Sequence, residues 1–117
     1  MPNAGSGFDP IGVIVDWLDA CKSRSLGTLV DLYDDWATVD CCDGGSFRGR
    51  SEVENYWRSK LERQAAGAFE IEALSPEPDG VYLHYRAYDG RSVRTFFRFT
   101  EAGKILLTAC DPIKAAA

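Results

Sequence analysis

The chain has 117 residues, of which 45% are apolar and 12% aromatic, and a formal net charge of -5 at pH 7. This length predicts one domain with a core of its own, which needs no cross-links for its stability. The negative charge argues against a nucleic-acid-binding protein, and no apolar run approaches the roughly 18 residues of a membrane span.

The N-terminal sequence MPNAGSGF has neither the basic start nor the apolar centre of a secretory signal. We therefore expect residues 1–9 to be a leader and residues 10–114 to form a single domain. Because such a chain can build its core without disulfides, the sequence favours reduced thiols and a cytoplasmic location. The four cysteines are Cys21, Cys41, Cys42 and Cys110.

The first half of the chain carries helical patterns. Asp9 can cap a first helix that continues at helical spacing to about Lys22. Ser25 can cap a second helix. Ser51 and Glu54 fit a capping box for a third.

Strand patterns surround and follow the third helix. Residues 37–42 predict one strand, the DGG that follows predicts a turn, and residues 46–48 predict a short second strand. The second half of the chain alternates, and Asp89-Gly90 predicts a two-residue hairpin loop. Helices early and a four-strand meander late predict an α+β fold with helices on one face of an antiparallel sheet.

Four segments carry a resemblance to a known family: LVDLYDDWATVD, Gly49, SEVENYW and FFRFTEAGKI. In this order and spacing they resemble the nuclear transport factor 2-like superfamily, which includes ketosteroid isomerases and SnoaL-like polyketide cyclases. The resemblance covers about residues 10–111. It implies a curved antiparallel sheet wrapped around three helices, a conical barrel with an internal pocket, and a homodimer formed through the outer sheet face. It does not specify a function, because this fold carries enzymes, binders and scaffolds alike.

The hairpin pairing assigns the strand residues to two faces without use of the family. A two-residue loop pairs His84 with Thr95 and Tyr82 with Phe97, so that these side chains share a face. The same face then carries Arg86, Val93, Leu106, Thr108 and Cys110. The other face carries Val81, Leu83, Tyr85, Arg94, Phe96, Arg98, Ile105, Leu107, Ala109 and Asp111.

The resemblance decides which face is concave. It places Thr95 and Phe97 toward the pocket, so the second face, although richer in aliphatic residues, is expected to form the dimer interface. The alternative leaves His84 and Arg86 on a solvated face.

The catalytic groups of ketosteroid isomerase are not matched in this sequence. The resemblance aligns Cys41 with its aspartate base, Trp17 with its tyrosine and Thr95 with its protonated acid. A thiol accepts a proton only when its pKa is lowered, and an indole or a hydroxyl is a weaker donor than a poised acid. The isomerase reaction by that mechanism is not expected.

His84, the only histidine, is the best candidate for a catalytic base, because imidazole titrates near neutral pH without special tuning. Arg86 and Thr95 would then orient or stabilise an oxygen of the substrate. The alternative is an ordinary strand histidine satisfied by its neighbours. The expected substrate-binding residues are Trp17, Trp36, Cys41, Trp57, Tyr82, Arg86, Thr95, Phe97, Thr108 and Cys110.

The sequence predicts no metal and no cofactor. Adjacent Cys41 and Cys42 are expected to point to opposite faces of a strand, there is no second cysteine pair, and no phosphate-binding glycine motif occurs. We therefore expect a protein that binds a small, mainly apolar molecule. A cofactor-independent isomerase, cyclase or hydrolase activity is one extension of this expectation. The alternative is a non-catalytic dimeric interaction or scaffold module.

Overall fold

The computed structural model describes residues 8–112, and these form an α+β fold in which one curved sheet packs against helices. The elements in chain order are α1 (Pro10–Lys22), α2 (Leu26–Asp31), β1 (Tyr33–Asp40), β2 (Ser46–Arg48), α3 (Arg50–Glu62), β3 (Ile71–Glu77), β4 (Gly80–Arg86), β5 (Ser92–Phe99) and β6 (Ile105–Pro112). This confirms the predicted fold class. Of the predicted domain limits, residues 1–7 and 113–114 lie outside the described part.

The sheet is open, with the strand order β2-β1-β6-β5-β4-β3. Neighbouring strands of the sheet are antiparallel except β1 and β6. These two run parallel because the chain passes through α3 and the β3–β5 meander between them. No helix among the described residues is long and apolar enough to cross a membrane.

The helix starts differ in how they are capped. The Asp9 side chain accepts a hydrogen bond from the backbone N–H of Ile11 at 3.1 Å, as the sequence predicts for α1. The predicted capping box of α3 is wrong, since this helix begins two residues earlier than a Ser51 cap would allow, after Gly49 at φ +86°. There the carboxylate of Glu52 accepts from the backbone N–H of Arg48 at 2.9 Å.

The loop of the hairpin between β4 and β5 is one residue longer than predicted, and this changes the faces of β4. The backbone N–H of Ala87 bonds the carbonyl of Arg91 at 2.7 Å, so the loop has three residues and ends on Gly90 at φ +88°. The observed pairs are therefore Leu83 with Thr95 and His84 with Arg94. A shift of one residue moves every side chain of a strand to the opposite face, so the predicted faces of β4 are wrong.

The faces of β5 stay as predicted, and so do those of β6 from Leu107 onward. Ile105, expected on the outer face, is instead completely buried in the core, because the pairing register shifts between Arg98 and Phe99. A four-residue loop at residues 100–103 would pair Thr95 with Thr108 and Phe97 with Leu106. The observed pairs are Thr95 with Cys110 and Phe97 with Thr108, two residues away. A shift of two residues preserves the face of each side chain. The concave face is consequently formed by Val81, Leu83 and Tyr85 of β4 together with Val93, Thr95, Phe97 and Thr108, all of them buried.

The core centres on Trp17 of α1, which is 1% exposed. Its ring meets four aromatic rings edge-on at centroid distances of 5.1 to 5.9 Å, and these belong to Trp57, Phe69, Tyr85 and Phe97. Edge-to-face geometry is a preferred arrangement of aromatic pairs. This aromatic layer forms the inner end of a cavity between the sheet and the helices.

Candidate functional site

A cavity opens between the concave face of the sheet and helices α1 and α3. Its deep walls are apolar and include Trp17, Trp57, Phe69, Tyr85 and Val93. The space that the centre of a water molecule can reach is about 30 Å³, and the whole space between the walls and the open mouth is about 510 Å³. The inner space thus holds roughly two water molecules.

The hydroxyl of Tyr33 is the centre of a buried hydrogen-bond cluster. It accepts from the indole Nε1 of Trp17 at 3.1 Å and of Trp57 at 3.2 Å, and it lies 3.0 Å from Oγ1 of Thr108. Because the two accepted bonds occupy the lone pairs of the phenol oxygen, its own proton goes to Thr108. The hydroxyl proton of Thr108, which lines the cavity, is then free for a ligand.

A second buried pair stands beside this cluster, in which Oγ1 of Thr95 donates to the hydroxyl of Tyr85 at 3.2 Å. Burial raises the pKa of both Tyr33 and Tyr85 well above the usual range, because the phenolate would lose its hydration; the hydrogen bonds they receive oppose this shift only in part. Both phenols therefore stay protonated at neutral pH. Neither can act as a base, and Tyr85, which lines the cavity and whose own proton is free, can hold a ligand by a hydrogen bond.

Cys41 lies at the mouth within a small polar network. Its sulfur accepts from the backbone N–H of Asp43 and from the hydroxyl of Tyr56, both at 3.5 Å, and lies 3.9 Å from Oδ2 of Asp43. Burial, and then the contact with Cys41, raises the pKa of Tyr56 above the usual range. Tyr56 therefore remains a hydrogen-bond donor to the sulfur at neutral pH.

Cys42 and Cys110 form a disulfide in the cavity wall, with Cα atoms 4.8 Å apart. The prediction of four reduced thiols is wrong for this pair, while Cys21 and Cys41 are free. The prediction that Cys41 and Cys42 point to opposite faces is also wrong, since both line the cavity. The reason is that β1 ends at Asp40, after which a turn replaces the alternation of the strand.

The structure brings most of the predicted binding residues together. The cavity is lined by Trp17, Cys41, Trp57, Thr95, Thr108 and Cys110. Phe97 is completely buried and packs on the ring of Trp17 behind the cavity wall.

Four predicted site residues lie elsewhere. Trp36 is 80% exposed, because alternation along β1 turns it away from the buried Ala37. Tyr82, His84 and Arg86 lie on the convex face as a result of the longer hairpin loop. The predicted placement of His84 in the pocket beside Thr95 is therefore wrong.

The sequence reasoning missed Lys60, Tyr85 and Cys42 as cavity residues. Lys60 had a readable signal, because it lies three residues after Trp57 and four after Tyr56, on one face of α3. Tyr85 was missed because the predicted two-residue loop places it on the convex face of β4. No pattern in the sequence pairs Cys42 with a partner 68 residues away. Within residues 8–112, no cluster of three or more His, Cys, Asp or Glu side chains could hold a metal ion.

Comparisons with solved structures identify similar folds. A SnoaL-like protein of unknown function from Burkholderia thailandensis is 20% identical, with a TM-score of 0.76 over 90% of this chain and 95% of that one. A proposed polyketide cyclase from Sinorhizobium meliloti is 13% identical, with a TM-score of 0.75 over 89% and 100%.

The orange carotenoid protein of Anabaena, solved with canthaxanthin bound, is 14% identical, with a TM-score of 0.73 over 93% of this chain and 38% of that one. None of the curated proteins matches the sequence. Residues 14–107 match the family described as SnoaL-like domain. Because this match covers most of the chain and the fold agrees, the protein belongs to the SnoaL-like domain family.

Proposed function

We propose that the protein binds a small, mainly apolar molecule in the cavity. The observation that carries the proposal is an aromatic recess into which the hydroxyls of Thr108 and Tyr85 present free protons. Ligand sites combine such apolar walls with a few well-placed polar groups. The canthaxanthin of the similar carotenoid protein supports an apolar ligand for this fold.

The dimensions of the cavity limit the ligand. The inner space of about 30 Å³ is too small for a ring, so a ligand larger than a few atoms must occupy the mouth or widen it. Tyr56 and Tyr88, which line the cavity, are only partly buried, so the cavity is open on their side. We therefore expect a ligand about as wide as one aromatic ring, inserted from the mouth.

A cofactor-independent isomerase, cyclase or hydrolase reaction is an extension of this proposal. The similarity to the proposed polyketide cyclase supports it. The catalytic role of His84 is not carried forward, because the side chain faces away from the cavity. Ligand binding is the function that the geometry supports best.

The competing proposal is a dimeric interaction module that uses the convex sheet face. This face mixes aromatic and charged groups, with the Arg94 guanidinium 5.0 Å from the Tyr82 ring and that of Arg98 5.6 Å from the Phe96 ring. It is more polar than the interface expected from the sequence, because Val81, Leu83 and Tyr85 turn inward. Sedimentation velocity tests the homodimer: Phe96→Glu should produce monomers from dimers, and a wild-type monomer would contradict this proposal.

The cytoplasmic location predicted from the sequence stays a proposal, and the Cys42–Cys110 disulfide argues against it. Thiols are kept reduced in a cytosol, so there the Cys42–Cys110 bond would open. Acid quenching of intact cells, followed by alkylation of the unfolded protein, tests the location, because the buried Cys21 reacts only after unfolding. Four alkylated cysteines agree with the cytoplasm, and two contradict it.

Native mass spectrometry of the purified protein tests ligand binding. We expect a bound mass that leaves on unfolding, is lost in Ala87→Phe, and is kept in Ala73→Phe. Ala87 lines the cavity, whereas Ala73 is exposed and pairs with His84 on the convex face, so the two variants make the same change at different places. A mass that persists in Ala87→Phe would place the ligand outside the cavity and refute the proposal.

A further inference from the structure

Lys60 is a charged side chain buried at the cavity mouth. It is 7% exposed and projects from α3, one turn after Tyr56 and Trp57. Its Nζ lies 4.1 Å from the centroid of the Tyr88 ring and 5.4 Å from that of Tyr56. The nearest carboxylate oxygen, Oδ2 of Asp43, is 3.8 Å away. The ammonium is therefore surrounded by aromatic faces and has an acid only at the edge of ion-pair distance.

This environment gives the ammonium no hydrogen bond to the described part of the protein, so that only water at the cavity mouth can accept from it. A lysine ammonium has three N–H donors, and none of the described residues accepts a hydrogen bond from Lys60. Burying a charge is costly unless it is paired and hydrogen-bonded, and ring faces replace only part of its hydration. An acceptor that reaches Lys60 from inside the cavity would recover this cost.

The neighbouring charges determine what kind of acceptor fits. Asp43 is exposed and also lies 3.9 Å from Arg91, which in turn is bound by Asp89 at 2.7 Å. Asp40 also lines the cavity. Two acids and two bases on the lining give no net positive charge, so the site does not suit a doubly charged phosphate. It suits a single negative charge placed directly at Nζ of Lys60.

Resting on the proposed function, we propose that Lys60 binds the carboxylate of a small amphipathic acid whose apolar body occupies the aromatic cavity. The carboxylate takes the inner side of the ammonium, opposite Asp43. The apolar body extends from there toward the Trp57 and Tyr85 rings and widens the small inner space as it enters. The ligand class is therefore a monocarboxylic acid with an aromatic or short aliphatic body.

Isothermal titration calorimetry with benzoate and benzyl alcohol tests this proposal, because the two probes share a ring and differ in charge. A charge-assisted hydrogen bond should make benzoate bind wild-type protein roughly tenfold more tightly than benzyl alcohol. Lys60→Met should bring this ratio to about one while the Kd of benzyl alcohol stays within roughly twofold. Lys60→Arg should keep a preference for benzoate.

The control is Lys22→Met, which removes an ammonium outside the cavity, paired with Glu70 at 3.7 Å, and should leave the ratio unchanged. Equal binding of both probes to the wild type, or a preference that survives Lys60→Met, would overturn the role of Lys60 and leave the cavity proposal standing. Binding of neither probe would overturn both proposals. A thermal unfolding midpoint for Lys60→Met close to that of wild type shows that the comparison concerns folded protein. If Lys60→Met does not fold, Lys60→Gln replaces it with the same expected loss of preference.

Discussion

Removing the hydroxyl of Tyr33 tests the buried hydrogen-bond cluster behind the cavity. Tyr33→Phe deletes one oxygen and leaves the indole N–H groups of Trp17 and Trp57 without an acceptor. Both indoles are at most 4% exposed, so water reaches them only through the small inner space. Each stranded buried donor costs about 1–3 kcal/mol, which gives a loss of about 2–6 kcal/mol in the free energy of unfolding. That is a large part of the ~5–15 kcal/mol typical of a domain.

Tyr85→Phe is the matched comparison, since it also removes one buried phenol oxygen. The hydroxyl of Tyr85 accepts a single hydrogen bond, from Thr95 at 3.2 Å, so its loss should cost about half as much as that of the Tyr33 hydroxyl. Urea unfolding followed by circular dichroism measures both losses, provided that the m-values agree with wild type. If Tyr33→Phe destabilises no more than Tyr85→Phe, the two indoles are satisfied by other partners and the reasoning is refuted.

Three further predictions concern the cross-link, the phenols and the hairpin. Cys42→Ser removes the cross-link to Cys110, 68 residues away, and should lower the free energy of unfolding by up to about 4 kcal/mol. A reductant should have the same effect on wild type and none on the variant. Equal urea midpoints for wild type and variant would contradict this. Because the pKa values of Tyr33 and Tyr85 are raised in the folded protein, the stabilisation from these phenols is complete below the unfolded pKa of 10.0 and is lost as the pH rises further. Urea midpoints should therefore fall above pH 10 and fall less in Tyr33→Phe. An equal fall in wild type and variant would argue against this. Gly90→Ala should cost about 1 kcal/mol because its φ is +88°, and an unchanged thermal midpoint would show that the loop adopts another turn.

The fold could be predicted because its elements depend on local patterns. The Asp9 cap and the apolar spacing of α1 give the first helix, and alternation gives the late strands. Tyr33 follows Leu29 and Val30 at helical spacing, which predicts that it continues the second helix. It instead begins β1, because pairing with Ile105 of β6 extends that strand toward α2. Such non-local pairing overrides local propensity.

The faces of β4 could not be predicted with the same certainty. Asp89-Gly90 fits both a two-residue and a three-residue loop, and the choice depends on a single backbone hydrogen bond of Ala87. The choice moves His84 from the concave to the convex face. The buried aliphatic residues Val81 and Leu83 indicated the correct face, but the expected dimer interface offered another reason for their apolar character.

The cavity was predicted better at its floor than at its mouth. Trp17, Trp57 and Thr108 follow from regular elements, where spacing determines direction. The mouth depends on the turn after β1, where alternation no longer applies, and on the tertiary contact of Cys42 with Cys110. Lys60 was passed over because a lysine on a helix is usually solvated.

The central claim is that the concave cavity binds a ligand, and a ¹H–¹⁵N NMR titration with benzyl alcohol tests it most directly. We predict saturable shifts at cavity residues such as Thr95 and Thr108, with no comparable shifts at His84 and Arg94 on the convex face. In Ala87→Phe these shifts should disappear. Shifts confined to the convex face, or unchanged in that variant, would contradict the account.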